Sequence, residues 1–64
     1  MEKKKYYISG KNNNTDLLNV DYEGTLLGAQ RAAIKFVREC IGNGYNTMWF
    51  VKDENFEVIM EGVL

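Results

Sequence analysis

Histidine and proline are absent from these 64 residues, and cysteine occurs once, at Cys40. Each absence closes a class of chemistry. Without imidazole the chain lacks the commonest general base and metal ligand, and no triad built on histidine can be assembled. A single thiol forms no intrachain disulfide and, with no histidine beside it, cannot complete the three or four ligands of a zinc site. Apolar runs such as Met48 to Val51 and Val58 to Met60 are far shorter than the roughly 20 residues that a membrane-spanning helix needs. The Lys3-Lys4-Lys5 run resembles the start of a signal peptide, but Ser9, Gly10 and Lys11 interrupt the apolar stretch that should follow. The expectation is a cytoplasmic protein, with Cys40 acting as a small hydrophobe in a reducing compartment.

Charge of either sign is also lacking in excess. Eight Lys plus Arg stand against nine Asp plus Glu, a net charge of -1, which argues against a general attraction to polyanions. The glycines at 24, 28, 42 and 44 are too scattered for a dinucleotide fingerprint or a P-loop. Asp53-Glu54-Asn55 lacks the repeated ligands of a calcium loop and reads as a turn. Asp21 with Glu23, and Glu57 with Glu61, share strand faces, as solvent-facing strand positions do without catalysis. The inventory therefore predicts no enzyme, no cofactor and no metal.

The patterning of what is present predicts one α+β domain over residues 1–64. Lys5 to Ser9 alternates, with Tyr6 and Ile8 on one side and Tyr7 on the other. Leu18, Val20 and Tyr22 alternate likewise after the turn-forming Lys11-Asn12-Asn13-Asn14-Thr15. Thr25 is placed to cap a helix. From Leu26 the apolar period changes to three and four residues through Ala29, Ala33, Phe36, Val37 and Cys40, flanked by Leu27, Ile34 and Ile41, and Gly42-Asn43-Gly44 stops it. A helix over about 26–41 follows. Asn46 to Leu64 reads as a hairpin around Asp53-Glu54-Asn55. The result is ββαββ, a four-stranded, mostly antiparallel sheet in the order 2-1-3-4, with one helix on one face; that order lets the helical connection cross right-handedly.

The hairpin turn leaves two registers. A three-residue loop with Asn55 in the left-handed position pairs Phe50 with Val58 and turns Trp49, Val51 and Ile59 away from the helix. A two-residue loop pairs Val51 with Val58 and turns Phe50 and Ile59 away, because a slip of one residue reverses every side chain. Either way, large apolar groups lie on a face that one helix cannot cover.

A chain this short buries only about 60% of its unfolded surface and, lacking disulfide and zinc, gains most from a partner. The expectation is a homodimer or protein-binding module with an accessory or inhibitory role, joined through Tyr7, Trp49, Val51 and Ile59. Asparagine at seven positions beside many Lys, Tyr and Ile points to an AT-rich bacterial or phage-like source. The alternative is nucleic-acid binding by a basic helix face of Arg31, Lys35 and Arg38, with Lys3 to Lys5 tracking phosphates and rings such as Tyr6, Tyr7 or Trp49 stacking on bases.

Overall fold

The computed structural model describes residues 3–13, 15–40 and 47–64. In chain order it contains β1 (Lys4–Lys11), β2 (Asp16–Gly24), α1 (Leu26–Cys40), β3 (Met48–Lys52) and β4 (Val58–Val63). The strands form one antiparallel sheet in the order β2-β1-β3-β4, the order expected from the sequence. Ile41 and the expected stop at Gly42-Asn43-Gly44 lie outside the described residues, as do Asn14 and the side chain of Leu18.

Local chemistry explains the elements. The first turn closes where Asn12 N–H donates to Thr15 O at 2.9 Å and Thr15 N–H donates back to Asn12 Oδ1 at 2.8 Å. The helix begins where Thr25 Oγ1 accepts from Gly28 N–H at 3.0 Å and Thr25 O accepts from Ala29 N–H at 2.9 Å. Ala29, Ala33 and Val37 are fully buried and form a line that advances by fours along α1. Beneath it lie Tyr6, Ile8, Trp49 and Val51, each no more than 8% exposed, which complete the core.

Small residues set how closely the helix sits. Val37 rests on Gly10 near the end of β1, and Tyr22 reaches up to Gly28 at the other end of the helix. Cys40 lies three residues, or about 4.5 Å, beyond Val37, and it is exposed rather than the core thiol expected from its place in the apolar arc. Leu26, in the first turn, is 39% exposed.

Gly28, a weak helix former by itself, is explained by Tyr22, whose hydroxyl occupies the space that a Cβ at residue 28 would fill. Gly28→Ala is therefore expected to forfeit the gain of about 1 kcal/mol that alanine brings to a helix interior. In a Tyr22→Phe background the same change should recover most of that gain. Urea unfolding of the four proteins in this cycle checks the coupling; equal effects of Gly28→Ala in both backgrounds would show that the hydroxyl is not what holds the position to glycine.

Candidate functional site on the open sheet face

The helix packs mainly on β1, then on β3 and β2, so the opposite face of the sheet is open and β4 lies at its margin. Which residues reach each face depends on the last hairpin. Neither expected register occurs. Asp53 N–H donates to Glu57 O at 2.9 Å and Phe56 N–H donates to Asp53 O at 3.0 Å, so the three-residue loop is Glu54-Asn55-Phe56, one residue later than expected. Phe56 takes the left-handed position, with φ 63°. Asp53 Oδ1 holds the turn by accepting from Asn55 N–H at 2.8 Å and Glu57 N–H at 3.0 Å. The Phe56 ring stacks on Tyr7 with centroids 4.4 Å apart, which offsets the backbone cost of roughly 1–2 kcal/mol for a non-glycine residue in that region.

A bulge at Ile59 then resets the pairing, so Lys52 faces Val58 while Val51 faces Met60, Phe50 faces Glu61 and Trp49 faces Gly62. Two expected interface residues are thereby corrected. Trp49 is 6% exposed and Val51 fully buried, both under the helix. Tyr7 lies half-buried on the open face, and Ile59 is 45% exposed at the bulge, beside a second depression that Tyr6 and Lys4 also line.

The open face has two halves. Across β1 and β2 it is polar, with Lys5, Lys11, Asp16, Asn19, Asp21 and Glu23. Lys5 Nζ lies 3.6 Å from Asp21 Oδ2, and that carboxylate, then the Tyr7 phenol, raises the Lys5 pKa above its ordinary value. Both partners are more than half exposed, so the pair is a surface contact that solvent screens. Toward β4 the surface turns apolar, with Phe56 54%, Val58 49% and Val63 68% exposed. The continuous apolar face expected from the sequence is thus confined to this margin.

Between the halves lies a groove of about 310 Å³ with Ser9 at its floor and Phe50, Val58, Lys11, Lys52 and Asp16 around it. The pairing of β1 with β2 is irregular at Ser9, between Ile8 and Gly10, and Ile59 interrupts β4 on the other side, so irregular ladders flank the depression. Lys11 Nζ stands 5.9 Å from the Phe50 ring centre, and Lys52 Nζ donates to Asn19 Oδ1 at 3.0 Å. Sequence patterning missed this site because Ser9 reads as an ordinary outward strand position.

Arg31, Lys35 and Arg38 are exposed on the helix side opposite the sheet, and among the described residues none has a carboxylate within ion-pair distance. No protein-family model, curated protein or solved structure matches this chain.

Proposed function

We propose that this chain is a non-enzymatic protein-interaction module that pairs with a second copy of itself through the β4 margin. The observation that carries the reading is the clustering of exposed large apolar residues. Four of the seven among the described residues, Phe56, Val58, Ile59 and Val63, fall within β4 and the turn that leads into it. Scattered singly, such residues need no explanation; gathered on one margin, they mark a contact surface. The core offers a second reason, since the seven buried apolar residues among those described, in a chain whose single cysteine can form no intrachain disulfide, make a small domain that gains stability by association. An accessory or inhibitory role in a bacterial or phage-like cytoplasm fits the size and residue usage. Tyr7, held against Phe56, and Ile59 belong to the proposed surface.

Sedimentation velocity from micromolar to millimolar protein tests the idea. The expected result is a reversible monomer–dimer equilibrium that weakens by roughly tenfold when Ile59 and Val63 are both changed to serine, with little change in monomer stability. A monomer throughout would sink the reading.

Nucleic-acid contact through Arg31, Lys35 and Arg38 is the second reading, favoured by three exposed cations that have no carboxylate partner among the described residues and opposed by the net charge of -1. Salt-dependent retention on heparin that disappears in Arg31→Glu/Arg38→Glu would move the proposal there.

A further inference from the structure

Ser9 is an unusual occupant of an open sheet face. A strand residue pointing away from the helix is ordinarily solvated, yet Ser9 is only 4% exposed. The surrounding side chains stand above it, and it forms part of the lining of the groove. A polar group set low among taller apolar and charged neighbours is the kind of placed group that fixes a ligand's orientation in a pocket. Here the cavity is the groove of about 310 Å³, within the size range of small-ligand sites.

The other walls state what would fit. Phe50 is directly opposite Ser9 in the β1–β3 ladder, so a ring face and a hydroxyl share the centre of the groove. Lys11 and Lys52 lie one on each side of that pair, two residues along β1 and β3 respectively. Asp16 cancels one of the two positive charges, which leaves a single net cation at the rim and argues against a polyanion. Val58 closes the apolar side.

We propose that this groove is a binding site for a small anion carrying a planar apolar body, the chemistry shared by nucleoside monophosphates and aromatic carboxylates. The planar body stacks on Phe50, the anionic group accepts from the Ser9 hydroxyl, and Lys11 or Lys52 supplies the counter-charge. The site shares Val58 with the β4 margin, while its ring, hydroxyl and lysines stand on β1 and β3.

Two-dimensional amide NMR of the full chain, titrated separately with adenosine monophosphate, indole-3-acetate, adenosine and inorganic phosphate, tests the proposal. Saturable shifts at Ser9, Phe50 and Lys52 are expected with at least one of the first two probes, and roughly tenfold weaker binding with the last two, each of which lacks one half of the ligand. Binding of only one of the first two identifies the source of the anion. Ser9→Ala should weaken binding by roughly fivefold to tenfold with the amide spectrum otherwise native, and Lys52→Met by roughly twofold to fivefold. Absence of saturable shifts with both anionic aromatics, saturable binding of adenosine or of inorganic phosphate as tight as that of the best anionic aromatic, or unaltered binding by Ser9→Ala would each overturn it.

Discussion

Replacing Gly10 by alanine is expected to leave the protein largely unfolded at room temperature. A Cβ at this position would overlap Val37 Cγ2, lie 3.2 Å from Val37 Cβ and sit 2.8 Å from the carbonyl oxygen of Met48. None of these atoms can yield cheaply. Val37 is fully buried, its Cβ is crowded as well as its methyl group, so a rotamer change does not clear the space, and the Met48 carbonyl belongs to the neighbouring strand. Relief requires lifting the helix from the sheet, and overpacking of this kind costs about 1–3 kcal/mol before the lost burial of the Ala29-Ala33-Val37 line is counted. A domain of this size has roughly 3–10 kcal/mol in all. Urea unfolding followed by circular dichroism measures the loss. Changing Val37 to alanine in the same background should restore part of the stability, because the methyl overlap goes while the Met48 carbonyl stays. A Gly10→Ala protein with the parental urea midpoint would show that α1 is not seated on this residue.

That same seam shows where the sequence was readable. The helix was legible because its signals agree: a threonine cap, a change of period at Leu26 and an apolar arc of the right width. The first two strands and the strand order followed from alternation and handedness. The hairpin was not legible, because turn propensity favours Asn55 over Phe56 for the left-handed backbone, and the competing term is a tertiary contact, the stack on Tyr7, that local sequence does not encode. One residue of displacement there, followed by the bulge at Ile59, decides the surroundings of every side chain in β4. Cys40 illustrates a second limit: periodicity gives the angle of a residue around the helix, but not how far the rest of the fold covers it. Ser9 illustrates a third, since its burial comes from tall neighbours on adjacent strands.

Trp49→Ala separates the two roles that tryptophan was open to. In the core it is 6% exposed, and its indole lies across Gly62, where a Cβ would approach Cζ2 to 2.6 Å. The flat ring and the missing side chain are complementary: the glycine admits the indole, and the indole covers a stretch of β4 that has no side chain of its own. Truncation therefore opens a cavity between α1, β3 and β4, and removing a buried tryptophan costs about 3–5 kcal/mol. Against a total of roughly 3–10 kcal/mol, the expected result is loss of the cooperative urea transition or a large fall in its midpoint, at every protein concentration. An interface tryptophan would behave in the opposite way, with the monomer fold intact and only association lost. Ile59→Ser is the matching control, since Ile59 is 45% exposed and should leave the transition nearly in place while weakening association. If Trp49→Ala keeps the parental unfolding curve, or if Trp49 emission in the parent protein shifts from exposed to buried as concentration rises, the core assignment is wrong. The register of β3 against β4 would then be wrong with it, because the side of the sheet on which Trp49 stands is the side on which Val51 stands too.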